Sequence, residues 1–310
     1  NSSNRPPTYG APGWGRAFGG GSLFKNDPSS AYNNPAAMAF VEHNVAQFTV
    51  DYARIKIKYK GQANDYMGQP VSNTPVGPDG FPGAVTTVNN NDGGEGGFTA
   101  WLPTGFMVMP LGDRFAFGLA QVVPQGMRST WNEDSKLRDF AVDTKIETVG
   151  LTGSLSFKVR DDFSIGGGII VQHSKGFVSQ NVDLLAAASN SGSPLFGGAQ
   201  FPAGVGEALM RVKVDNISTG WFTGVVWKPT DQDSLGLNYH AKIKNKMTGK
   251  YNVRADQFSY NLMTQPSPFG GSGTLVEQAY PGLKLFPDGA HASTQLDIPA
   301  TAAFDWVLGF

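Results

Sequence analysis

The sequence contains no cysteine, so neither a disulfide framework nor a thiolate metal centre can be built from it. Charge is scarce. The 24 Lys and Arg against 25 Asp and Glu leave a formal net charge of −1. Such a balance gives no electrostatic footprint for nucleic acid or an acidic partner. Long hydrophobic runs are missing too. The longest uncharged stretch, residues 184–206, is interrupted by Gly, Pro, Ser and Asn, which excludes a transmembrane helix. It does not exclude a membrane barrel, whose strands carry a much weaker hydropathy signal. Enzyme signatures are likewise lacking. The four histidines (His43, His173, His240 and His291) show no metal-ligand spacing, and Tyr251 after Gly249-Lys250 rules out a phosphate loop. Asp79-Gly80 and Asn91-Asp92-Gly93-Gly94 read as turns before they read as calcium ligands. The expectation is a non-enzyme with no cofactor and no metal.

What the chain does have is 40 glycines, 20 prolines and 12% aromatic residues, the mark of an all-β protein with many turns. Residues 1–43 fit neither strand nor helix, because glycine and proline break both at Gly10-Ala11-Pro12-Gly13, Gly19-Gly20-Gly21 and Asn34-Pro35-Ala36. Yet Trp14, Phe18, Leu23, Tyr32, Met38 and Phe40 are too apolar for a free tail. This segment reads as a plug, and residues 44–310 as its container. No charged and then apolar leader opens the chain, the pattern of a mature form.

Eight strands can be traced in the container. They run over residues 45–59, 98–109, 115–123, 143–159, 163–177, 211–227 and 235–244, and from about 295 to 310. A change of parity near Ala53-Arg54 suggests a bulge in the first. The fourth alternates Val149, Leu151, Leu155, Phe157 and Val159 with Thr148, Thr152, Ser154 and Ser156. Connections alternate long and short throughout. A β-sandwich has no reason to sort its loops by length between its two ends. A transmembrane antiparallel β-barrel has one: an apolar outer face, a polar lumen, short periplasmic turns, long extracellular loops and aromatic girdles. Tyr59, Trp101, Phe157, Phe163, Trp227, Tyr239 and Trp306 are the girdle candidates. Eight strands close a barrel that side chains alone fill. A plug inside therefore calls for more strands, and the sequence reads as C-terminally truncated, although its ending on Phe304, Trp306, Leu308 and Phe310 also suits a complete barrel.

Gly15-Arg16-Ala17, Asn34-Pro35-Ala36 and the run from Trp101-Leu102-Pro103-Thr104-Gly105-Phe106 through Pro110 resemble the FadL family of outer-membrane hydrophobic-compound transporters. The resemblance covers the whole chain and about the first two-thirds of a typical member. It implies a fourteen-stranded barrel, an N-terminal hatch in the lumen (motif Asn34, Pro35 and Ala36) and passive inward diffusion of hydrophobic molecules, in a monomer set among outer-membrane lipid and lipopolysaccharide.

Three features carry the candidate chemistry. Pro124 within Val123-Pro124-Gln125-Gly126 removes a ladder donor, so strand three either ends there or is interrupted. Family members have a kink in this strand that serves as a lateral exit, which would make Pro124, Gln125 and Gly126 the exit. Apolar loop residues (Leu184, Leu185 and Phe196 in one loop, Phe258, Tyr260 and Leu262 in another) suit either ligand capture or packing as a lid. Tyr9, Trp14 and Phe18 are candidates for the hatch-side pocket wall. Lys175, His240 and Lys242 are candidate lumenal cations for a carboxylate headgroup, or they serve only to hydrate the lumen. Where fatty-acid-carrying relatives place a basic residue, this chain reads Phe177-Val178-Ser179-Gln180, which suits an aromatic or alkane hydrocarbon better than a long-chain fatty acid. The expected function is outer-membrane uptake of hydrophobic molecules; an outer-membrane barrel hydrolase and a soluble β-sandwich adhesin are the alternatives.

Overall fold

The computed structural model describes residues 23, 26–61, 94–131, 135, 137, 141–183, 207–230, 232–255, 260, 261, 264, 266, 274 and 289–307. A short helix, α1 (Ser30–Asn33), and a 3-10 turn (Pro35–Phe40) precede ten strands. These are β1 (Val45–Tyr59), β2 (Gly94–Leu111), β3 (Phe115–Thr130), β4 (Asp143–Arg160), β5 (Phe163–Asp183), β6 (Glu207–Trp227), β7 (Ser234–His240), β8 (Lys246–Ala255), β9 (Ala290–Gln295) and β10 (Thr301–Val307). All pair antiparallel, in the order β1-β2-β3-β4-β5-β6-β7-β10, with β8 on the upper part of β6 and β9 on β8. The sheet curls as a half-barrel. Among the described residues β1 and β10 each pair on one side only, so these strands do not close on themselves.

The eight strands read from the sequence are all present, but the last two are each broken in the middle, which makes ten. β1 stays in unbroken register with β2 from Val45↔Val108 to Tyr59↔Gly94, so the expected bulge near Ala53 is absent from this ladder. Tyr59 therefore keeps the parity opposite to Phe48 and Tyr52 and packs edge-on against Trp131, ring centroids 5.3 Å apart, instead of joining an outer girdle.

Burial along the strands is inverted relative to a water-soluble protein. On β4, Thr148, Thr152, Ser154 and Ser156 are buried, whereas Leu151 is 63% exposed; elsewhere Phe48 is 72% and Ile217 70% exposed. More than twenty large apolar side chains stand exposed among the described residues. Burying each would contribute about 1.5–3 kcal/mol, so leaving them in water forgoes several times the 5–15 kcal/mol by which folded domains are stable. Among the described residues no second sheet covers them, which removes the sandwich reading. Hydrocarbon suits such a face.

The inner face holds residues 26–41. Ser154 Oγ donates to the Ala31 carbonyl (2.9 Å) and Ser164 Oγ to the Ala36 carbonyl (2.8 Å). Asn34 Oδ1 caps the 3-10 turn by accepting from the Ala36 N–H at 3.1 Å, while its Nδ2 donates to the Val225 and Leu237 carbonyls on β6 and β7. Proline just after the cap costs nothing, because its missing N–H would have been an orphan. Close approach needs glycine beneath. A Cβ on Gly166 would lie 2.5 Å from both Pro35 C and Ala36 N, backbone atoms that cannot swing aside. Overpacking of this kind costs about 1–3 kcal/mol. Gly166→Val is therefore expected to undock residues 26–41 and speed their proteolysis, while the sheet keeps its resistance to heat in detergent; unchanged cleavage would refute the docking geometry.

Candidate functional site: an opening between two strands and the inner face behind it

β2 and β3 leave a tight turn at Gly112 and pair only from Leu111↔Phe115 to Gly105↔Gln121. Beyond that level β2 continues to Gly94 on β1 alone, and β3 continues to Thr130 on β4 alone. The wall between them is open. Two prolines lie where the pairing stops: Pro103 on β2 and Pro124 on β3, each without the N–H a ladder requires. Strand three does not end at Pro124. Its register on β4 shifts between Val122↔Gly150 and Gln125↔Thr148, so Val123 and Pro124 together face Val149 in a β-bulge.

A cleft of about 530 Å³ occupies this opening. Its lining comes from both faces of the sheet: the exposed Trp101 and Val149 together with the buried Thr148 and the partly buried Leu102 and Ile146. Inside, Pro124 meets Tyr32, Ile170, Gln172, His240, Ile243 and Ile298 around a space of about 10 Å³. That is far below ligand size, so anything passing from the inner face to the cleft requires side chains or residues 26–41 to move.

Strand seven shapes the rest of this inner face. Residues 241–247, seven in number, face only the six residues 216–221 of β6 between the β7 and β8 ladders. His240 and the following Ala241 are both buried, so the extra residue is taken up as an inward kink. The neighbouring strand breaks at the same level, and Ile243 and Ile298 exchange backbone hydrogen bonds at 3.0 and 2.8 Å across the two breaks. Above them, Gln172 Nε2 donates to Asn245 Oδ1 (3.0 Å), which also accepts from Ser218 Oγ. Gln172 Oε1 and Asn245 Nδ2 are buried with no partner.

The kink decides which candidate cations face inward. His240 does, stacked on Phe222 with centroids 5.1 Å apart and 4.7 Å from the Tyr32 ring. Lys242 does not. Past the kink the phase has moved by one residue, and Lys242 lies exposed on the outer face, paired with Asp297 at 2.7 Å. Lys175 is also on the outer face, in phase with Ile169 and Val171, so neither lysine faces inward. Parity alone excluded Lys175; the misreading of Lys242 came from continuing the alternation through a bulge that no Gly or Pro announces. Pro103 and the amide pair went unnoticed, although a second proline inside a strand was a visible signal. His173 and Ser174 occupy opposite faces, Ser174 bonding Thr148 (3.0 Å) and His173 lying 3.4 Å from Asp215, so they form no catalytic pair. Tyr260 is exposed. Tyr9, Trp14, Phe18, Leu184, Leu185, Phe196, Phe258 and Leu262 lie outside the described residues.

Residues 6–310 match the sequence pattern of the family described as "Outer membrane protein transport protein (OMPP1/FadL/TodX)". The chain belongs to this OMPP1/FadL/TodX family. It superposes on the crystal structure of a Pseudomonas aeruginosa FadL homologue with a TM-score of 0.85 and 56% identity, over 99% of this chain and 66% of that one. Outer membrane protein P1 of Haemophilus influenzae is 24% identical over 245 residues, 74% of this chain and 51% of the relative. The long-chain fatty acid transport protein of Escherichia coli (strain K12) is 20% identical over 288 residues, 89% of this chain and 59% of the relative. The chain thus spans about half to three-fifths of the length of these curated relatives. The OMPP1/FadL/TodX proteins are outer-membrane transport proteins of Gram-negative bacteria, not enzymes.

Within residues 26–41 on the inner face one ionisable group is out of place. Burial pushes the Asp27 carboxyl above its ordinary value, against the pull of the Ser29 N–H (2.9 Å) and O–H (2.8 Å), which favour the carboxylate. A raised value in the docked state means that docking is strongest where the group is protonated and weakens as pH rises through that value. Asp27→Asn removes the charge and keeps the bond that Ser29 N–H donates to Oδ1, while its Nδ2 can only donate to Ser29 Oγ where the carboxylate oxygen accepted. It should bind the hatch more firmly than Asp27 at neutral pH, the difference closing below the ordinary aspartate value of about 3.9. Hydrogen exchange of residues 26–41 against pH measures this.

Proposed function

We propose that this chain forms part of a passive channel that carries hydrophobic small molecules inward across the outer membrane. A molecule is captured by the apolar extracellular loops, moves to a pocket beside the hatch, and leaves sideways into the bilayer between β2 and β3. The observation that supports the reading most is the unpaired stretch above Gln121, with a cleft of about 530 Å³ lined from both faces of the sheet. An apolar solute gains nothing by entering periplasmic water when hydrocarbon is adjacent.

Named relatives transport long-chain fatty acids, and a solved structure that shares this fold at 10% identity and a TM-score of 0.54 is the CymD monoaromatic hydrocarbon channel. Between these substrate classes, the inner face favours uncharged hydrocarbons. Behind the cleft it presents Ile170, Gln172, Ser218, His240, Ile243 and Asn245, with no lysine or arginine among them and the histidine ring stacked on Phe222, while Lys175 and Lys242 lie outside. A buried carboxylate without a cation partner carries a heavy desolvation cost.

Deleting Pro124 leaves one residue opposite Val149 and restores an unbroken ladder on β4. Uptake of a neutral aromatic hydrocarbon by cells making the variant should fall about tenfold or more, with unchanged heat-modifiable mobility of the barrel. Wild-type uptake by that variant would eliminate the lateral exit.

A further inference from the structure

The kink in strand seven has a consequence on the side of the sheet that faces lipid. Once the phase moves by a residue, Lys242, Lys244 and Lys246 all point outward, in a row, beside Ile217 and Thr219 of β6. Together with Asn216 and Ser218 they line an outer groove of about 470 Å³. A second groove of about 370 Å³ adjoins it on the same face and contains Lys145, Lys175 and Lys213.

Their depth is what makes these lysines informative. On β6 the outward apolar side chains run from Trp227 at the short turn up to Ile217. Ten residues at roughly 3.3 Å each, on a strand tilted by about 40°, rise about 25 Å, the height of the apolar band of an outer-membrane barrel. With long loops outside and short turns inside, Ile217 marks the outer edge of that band. Lys244 and Lys246 stand at this edge and Lys213 just above it. A cation on a lipid-facing wall is tolerated near the interface and costs more the deeper it lies, and lysine stems reach towards the headgroups. Acidic neighbours neutralise only part of the row. Asp297 pairs with Lys242 and also acts at longer range on Lys244, Glu147 pairs with Lys145, and Asp215 lies against His173. Among the described residues no ion pair forms at Lys213, Lys244 or Lys246.

We propose that this outer face is a binding site for the phosphorylated glycolipid of the outer leaflet, its phosphates held by Lys213, Lys244 and Lys246 and its acyl chains lying along Ile217 and Trp221. Charge complementarity carries the assignment: ammonium groups without an ion-pair partner at the height of the headgroups attract anions, and phosphate on a glycolipid is the anion that is anchored at that height.

The test uses the full protein, purified in detergent and examined by native mass spectrometry with added lipid A carrying both phosphates, lipid A with both phosphates removed, or inorganic phosphate. Retention of the phosphorylated form well above the dephosphorylated form, undiminished by millimolar inorganic phosphate, is the expected result. Equal retention of the two glycolipids overturns the proposal without any variant. A basic residue at an anionic lipid surface is worth about fivefold in affinity, so the combined variant K213Q/K244Q/K246Q should lose roughly a hundredfold. Lys56→Gln with Lys58→Gln, exposed at the far edge of the sheet on β1, should lose little. Undiminished retention by the triple variant, or an equal loss in the β1 variant, also overturns it.

Discussion

Hydrocarbon offers no hydrogen bonds, and that single constraint arranges this molecule. Backbone groups facing lipid must be paired along ladders, side chains facing lipid must be apolar, and polarity is confined to the inner face. The burial of Thr148, Thr152, Ser154 and Ser156 beside the exposure of Leu151 and Leu155 follows from it. So does the use made of the inner serines. Ser154 and Ser164, which in a soluble sheet would face water, satisfy the carbonyls of a segment too irregular to satisfy itself.

The same constraint gives interruptions of the wall their significance. Backbone without partners is tolerated at membrane depth only where it lines a cavity or is covered by protein. β2 and β3 part above Gln121, and the space between them is a cleft, not a packed seam. Strands seven and eight also break, but there the two breaks bond to each other through Ile243 and Ile298, and Asn245 is tied to Gln172 and Ser218. One interruption is left open and the other is closed upon itself. That contrast favours the former as the proposed exit and makes the latter a hydrogen-bonded shelf beside His240 and Tyr32.

Much of the fold was legible because a side-chain period of two, read against turn residues, needs only local information. β1 spans the predicted residues 45–59, β4 and β5 start at the predicted 143 and 163, and on β4 and β5 the apolar parity is the exposed one. The candidate site was legible in part. Pro124 announced a disturbed ladder, since a missing N–H acts wherever the strand lies, but whether the strand ended or bulged depended on β4. The kink after His240 had no announcement. Nothing in Ala241-Lys242-Ile243-Lys244-Asn245 breaks an alternation, and only the mismatch of seven residues against six on β6 forces the phase to move.

The sequence by itself determined the architecture and its orientation towards solvent: an antiparallel all-β sheet, greasy outside and polar within, with a glycine-rich leader to be housed. These follow from composition and periodicity, which each residue carries with it wherever the chain goes. Tertiary structure alone decided register: where β2 releases β3, which strand absorbs an extra residue, and hence that Lys242 stands exposed on the outer face while His240 is buried on the inner one. Register is a relation between strands far apart in sequence, and a shift of one residue exchanges the two faces of everything beyond it.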